Sequence, residues 1–159
     1  MTRIATLILV AAVAGLGLYW EASGLLANSD KSAAEANDLA NGETLYAEHC
    51  ASCHGAQLEG QPEWRSSGSD GQFRAPPHDE TGHTWHHPDS LLFEYTKLGG
   101  QNALAKMGVE FVSGMPGFGE QLTDGEIKDI LAFIKSTWPE RIQEVQTERT
   151  KLDKQKPGG

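Results

Sequence analysis

Apolar residues along this chain fall into three patterns. The first is a continuous run from Ile4 to Trp20 in which Thr6 is the only polar side chain. Its length suits a tilted membrane helix and is long for the apolar part of a signal segment. The second is a stripe at helical spacing, Ile127, Ile130, Leu131, Ile134 and Trp138, which predicts an amphipathic helix over 124–138. Thr123 with Glu126 three residues on is a capping-box signature for its start, and Pro139 follows its end. The third pattern is shorter. Leu45 and Tyr46 lie ahead of Cys50 in a stretch that predicts a helix from an Asn41 N-cap to about Cys53, stopped by Gly55. A further helix is expected over Ser90–Leu98, capped by Asp89 and ended by Gly99-Gly100.

The intervening segments break every period. Residues 57–74 are turn-rich, 75–88 are rich in proline and histidine, and 108–119 read as a loop. No strand alternation and no internal repeat is present. The expected fold class is therefore all-α, a small helical domain with long loops, preceded by one N-terminal membrane helix or signal segment. The expected division is 1–24 signal peptide or signal-anchor helix, 25–40 polar linker, 41–138 globular domain and 139–159 charged tail. The tail has only Ile142, Val145 and Leu152 as apolar residues, a composition that suits a solvated segment as well as a helix.

Hydrophobic residues make up 38% of the chain, the apolar N-terminus included, so the globular part has little side chain with which to build a core. A buried cofactor would supply the missing apolar mass. Residues 41–138 hold fourteen Asp and Glu against six Lys and Arg, a net of −8. That acidic balance argues against a nucleic-acid partner and suits docking onto a basic protein surface.

Cys50-Ala51-Ser52-Cys53-His54 carries the chemistry. Two thiols three positions apart share one face of a helical turn and can add to the two vinyl groups of a porphyrin. The adjacent imidazole can then ligate the iron. This is the attachment signature of a c-type haem, and one motif implies one covalent haem c. A zinc site would need two more soft ligands, yet Cys50 and Cys53 are the only cysteines. A thioredoxin-like site would need a βαβ context. The positive Arg3, the apolar run and Glu21 are ordered as for export of the remainder across a bacterial inner membrane, which agrees with periplasmic haem attachment. Tyr19 and Trp20 suit an interfacial belt and favour a retained anchor; Ala22-Ser23-Gly24 offers a signal-peptidase site instead.

With these residues in view, the chain resembles class I cytochromes c over Asn41 to Trp138. The resemblance rests on Gly42, Tyr46, the Cys50–His54 motif, Gly114-Met115-Pro116-Gly117-Phe118, Ile130 and Phe133. It implies that the first and last helices of the domain cross closely at Gly42, with Tyr46, Ile130 and Phe133 packed across the contact. It implies Met115 as distal iron ligand, opposite His54. It also implies that a proline carbonyl, from Pro76 or Pro77, accepts a hydrogen bond from His54. The residues alone favour Met115 too, because Gly114 and Pro116-Gly117 restrict its backbone, whereas nothing fixes Met107.

His78, His83, His86 and His87 crowd into ten residues with Asp79, Glu80 and Trp85. Three readings compete for them: lining of the haem edge by Trp85 and the imidazoles, a copper or zinc site, or a histidine in place of Met115. The string from Pro76 to His87 is similar to one in small membrane-attached bacterial cytochromes c. The function expected is a periplasmic one-electron carrier rather than an enzyme, either free-standing or as the cytochrome subunit of an oxidoreductase complex, held at the inner membrane and serving redox partner proteins. The alternatives are a catalytic or ligand-sensing haem protein with a labile sixth ligand, and a haem-linked copper-handling protein.

Overall fold

The computed structural model describes residues 31–156 apart from 32, 33 and 37. The expected membrane or signal segment, 1–24, lies outside the described residues, as does much of the expected linker. Among the described residues no helix is long and apolar enough to cross a membrane. The chain divides into two units, Met1–Asn37 and Asp38–Gly159, and every element below belongs to the second.

Helix α1 covers residues 38–49 and is followed after one turn residue by the short α2, Ala51–His54. A single 3-10 turn, Thr84–His86, precedes α3, Asp89–Leu98. Then come α4, Gly100–Lys106, α5, Asp124–Ser136, and α6, Glu140–Lys154. The only extended pairings among the described residues are the isolated bridges Ser67–Phe73 and Phe73–Ser113. The fold is all-α, as the pattern of apolar positions predicts.

The core forms where α1 crosses α5. Tyr46, Ile127, Ile130, Leu131, Ile134 and Trp138 are buried together with Cys50, Leu58, Phe118, Leu122 and Ile142. Gly42 sits at the crossing. A Cβ added there would lie 2.1 Å from the Asp129 carbonyl oxygen and 3.0 Å from Phe133 Cβ. Only a residue without a side chain allows this approach. Beside it Asn41 Nδ2 donates to Asp129 Oδ2 at 2.8 Å, and the Tyr46 and Phe133 rings meet at 5.6 Å between centroids. Because the obstructing atom at Gly42 is backbone, relief requires the helices to separate. Gly42→Ala is expected to destabilise the holoprotein by about 1–3 kcal/mol, the usual range for an overpacked core. A denaturant midpoint that drops at unchanged slope would show it.

α5 begins as expected. Thr123 Oγ1 accepts from the Glu126 N–H while Glu126 Oε2 accepts from the Thr123 N–H at 2.8 Å, closing the capping box. Three boundaries differ from expectation. Asp89 is the first residue of α3, not its cap, which is Pro88. Residues 38–40 are already helical, so Asn41 is not an N-cap; its amide serves the α1–α5 contact. Gly99 ends α3, but Gly100 opens α4, an element the Gly-Gly pair concealed. Of the two readings left open for the tail the helical one holds: residues 140–154 are helical and packed down. In α6, Ile142, Gln146 and Thr150 are buried on one face. Gln146 Nε2 reaches Asp89 Oδ1 at 2.7 Å and the His87 carbonyl at 3.2 Å. Thr150 Oγ1 accepts the Asp89 N–H at 3.0 Å, satisfying an otherwise orphaned donor of the α3 N-terminus. Lys135 Nζ completes the cluster on Asp89 at 2.9 Å.

Candidate haem site

The Cys50–His54 motif lies where α1 passes into α2. Tyr46 anchors the turn, its hydroxyl donating to the Gly55 carbonyl at 2.9 Å. Cys50 is buried and Cys53 exposed, and neither forms a disulfide. Burial, and then the neighbouring Cys53, push the Cys50 thiol up to about 11, so it stays protonated at neutral pH. Both sulfurs remain available for thioether formation.

His54 is buried, and its Nδ1 lies 2.8 Å from the Pro76 carbonyl oxygen. A carbonyl only accepts, so Nδ1 carries the proton and Nε2 keeps a free lone pair. Burial also lowers the His54 pKa, against the opposing effect of the Pro76 bond. The result is a neutral, oriented imidazole of the kind that serves as an axial iron ligand. Of the two prolines singled out in the sequence, Pro76 makes the contact. Pro77 is buried behind it, and its carbonyl faces Thr84 Oγ1 at 3.5 Å.

Met115 is half-buried and packs against the core, while Met107 is 57% exposed. The Met115 backbone is held on both sides. Its N–H donates to Ser113 Oγ at 3.2 Å, and its carbonyl accepts from the Gly100 N–H at 3.1 Å. The following residues are pinned to α3 by Phe118 N–H to Thr96 O and Gly119 N–H to Lys97 O, both 3.0 Å. Gly99, at φ +83°, makes the fit possible: a Cβ there would meet the backbone of Met115, Pro116 and Gly117 within 2.7–3.0 Å. The loop that carries Met115 is thus clamped onto the α3–α4 junction.

The four clustered histidines do not converge. His83 stacks on Trp64 at 5.2 Å and meets His87 edge-on at 5.4 Å, and His86 stacks on Trp85 at 3.6 Å. Trp85 Nε1–H donates to the Glu80 carbonyl at 3.3 Å, within its own segment. His78 turns the other way and stacks on His54 itself. Among the described residues no group of three or more His, Cys, Asp or Glu could hold a metal ion, so no observation favours the copper-handling reading.

His83 and His87 nonetheless have a consequence. Burial, then His86 and Arg65, lower the His83 pKa; burial, then His83, His86 and Arg149, lower that of His87. A base with a depressed pKa binds fewer protons folded than unfolded, so stability is complete above the ordinary value of 6.5 and falls as pH drops below it. Denaturant midpoints of the holoprotein are expected to decline from about pH 7 to about pH 5. The decline should be shallower in the double variant His83→Gln, His87→Gln; an equal slope would show that these rings are not responsible.

The family model for Cytochrome c matches residues 39–138, more than half of the chain and nearly all of the span from α1 to Trp138. The chain belongs to the cytochrome c family. Membership brings a covalently bound haem c, and Cys50 and Cys53 fit its attachment. It also makes a haem-based electron carrier the general description of the domain. Among curated proteins and among solved structures nothing matches the chain. Helix α6 lies beyond the matched residues, so the Asp89 cluster built on Gln146 and Thr150 is an addition to the family domain.

The donor set fits the group. Two unpaired thiols and a neutral imidazole with its remaining nitrogen free suit one covalent haem. Two residues that matter here were not visible as such in the sequence. Leu58 adopts φ +64°, a left-handed conformation costly for a branched side chain. Its carbonyl thereby accepts the N–H of both His78 at 2.8 Å and Asp79 at 3.3 Å. Ser113, which holds Met115, is the other.

Proposed function

We propose that this cytochrome c is a monohaem one-electron carrier of the bacterial periplasm with His54 and Met115 as axial ligands. The observation that carries the reading is the contrast between the two downstream methionines: Met115 is anchored by Ser113 and Gly100, and Met107 is exposed. Bound haem supplies a reversible one-electron couple. The protein's part is to hold both axial side chains so that neither position opens to a substrate, and to keep their surroundings apolar. His54 does this through Pro76, and Met115 through its loop.

The acidic surface of residues 41–138 supports a redox partner with a basic docking face, and the apolar run 4–20 supports tethering to the inner membrane. Purified holoprotein is expected to titrate reversibly as a one-electron couple and, when reduced, to leave CO unbound. Rapid CO binding by the native protein would replace this reading with that of a ligand sensor. Association with the physiological partner should slow as salt shortens the screening length from about 8 Å at physiological ionic strength. Association that quickens with salt would overturn the basic-partner assignment.

A further inference from the structure

We propose that His78 is a positioning residue for the haem, setting the plane of the His54 ring through face-to-face stacking. This rests on the reading of His54 as an axial ligand. The two imidazoles lie 3.9 Å apart between centroids at an interplanar angle of 18°. The Pro76 bond fixes the direction of His54 Nδ1, but a single hydrogen bond leaves the ring free to rock about it. A second ring against its face removes that freedom.

His78 is itself held from four sides. Its N–H donates to the Leu58 carbonyl, and its own carbonyl accepts from Trp138 Nε1 at 2.7 Å. Its Nδ1 lies 2.8 Å from Thr84 Oγ1, and the edge of Tyr46 approaches at 6.3 Å. With the Thr84 hydroxyl directed at the Pro77 carbonyl, Nδ1 takes the donor role toward Thr84. The strained Leu58 carbonyl and the Trp138 indole N–H hold the His78 backbone from both sides, and Thr84 holds its half-buried ring. Such convergence is what holds a ligand plane within the tolerance a tuned site needs.

The test uses ferric holoprotein and reads the electron-paramagnetic g values together with the order of the hyperfine-shifted haem methyl resonances, both of which report axial-ligand plane orientation. His78→Ala is expected to shift the g values and reorder the methyl resonances. His78→Phe, which restores a stacking ring without the Thr84 bond, is expected to return them most of the way. Unchanged spectra in His78→Ala, or equal displacement in both variants, would overturn the proposal. If His78→Ala gives no holoprotein, Thr84→Val decides: it keeps the ring and frees it, so a smaller displacement in the same direction is expected, and wild-type spectra would overturn the proposal. Wild-type protein separates this failure from that of the ligand reading. Absence of a low-spin His/Met signature there would remove the premise; its presence with silent His78 variants would remove only the role of His78.

Discussion

Expression of a Cys50→Ala, Cys53→Ala double variant is expected to give essentially no haem protein and no stable helical domain. The reason is the composition of the core. Cys50 is one of its buried members, next to Tyr46 and the α5 stripe, and the apolar content of the chain is low. A domain of this size sits only about 5–15 kcal/mol below its unfolded state, and the porphyrin is a large share of the apolar surface available to bury. Single variants at either cysteine should give little holoprotein. His54→Ala should give almost none, because it removes the axial imidazole and orphans the Pro76 contact as well. Haem staining after denaturing electrophoresis reads covalent attachment, and far-ultraviolet circular dichroism reads the fold. A haem-free double variant with full helix content and cooperative unfolding would show that the protein core stands without its cofactor.

The parts of this architecture that were legible in the sequence are those written in local or short-period code. The Thr123–Glu126 box and the Ile127–Trp138 stripe announce α5 because capping and helical periodicity are properties of neighbours along the chain. Gly42, Tyr46 and Phe133 announce the helix crossing through the family pattern. The hidden parts depend on distant partners. α6 buries Gln146 and Thr150 on the same face as Ile142, and a face built mostly from polar residues has no apolar period to detect. Those polar groups are tolerated there because Asp89 and the His87 carbonyl, far away in sequence, satisfy them. α4 was hidden for the opposite reason: Gly100 looks like a second helix breaker, yet it is small because Ser113 and Tyr95 crowd it. Proximity in sequence did not bring the clustered histidines together. Adjacent positions in a proline-rich segment do not share a direction, so His78 turns to His54 while His83 and His86 turn to tryptophans.

Met115→Ala is expected to open the distal side, and its effect should be large in three independent readouts. The weak long-wavelength band of the ferric protein that reports sulfur–iron bonding should vanish. The reduced protein should gain rapid CO binding. The potential should fall, because a thioether favours the reduced state, and axial-ligand identity spans roughly 0.8 V among haem proteins. The structure also says what should not change. Alanine keeps the backbone N–H that donates to Ser113 and the carbonyl that accepts from Gly100, so the loop should stay clamped and covalent haem yield should stay high. Loosening the clamp is then a separable experiment. Ser113→Ala leaves the sulfur in place but removes its backbone anchor, so it should weaken the band without abolishing it and admit CO slowly. Met107→Ala is the control, since that side chain lies mostly in solvent and should leave all three readouts as in wild type. Loss of the band in Met107→Ala with its retention in Met115→Ala would reverse the assignment. Absence of the band from the wild-type protein, with Met115→Ala silent in all three readouts, would point to a histidine of the 78–87 segment as the distal ligand. The gradation wild type, Ser113→Ala, Met115→Ala is what a ligand held by its loop would give: the thioether would supply the bond to iron, and the contacts of residues 99–119 would determine how long it stays made.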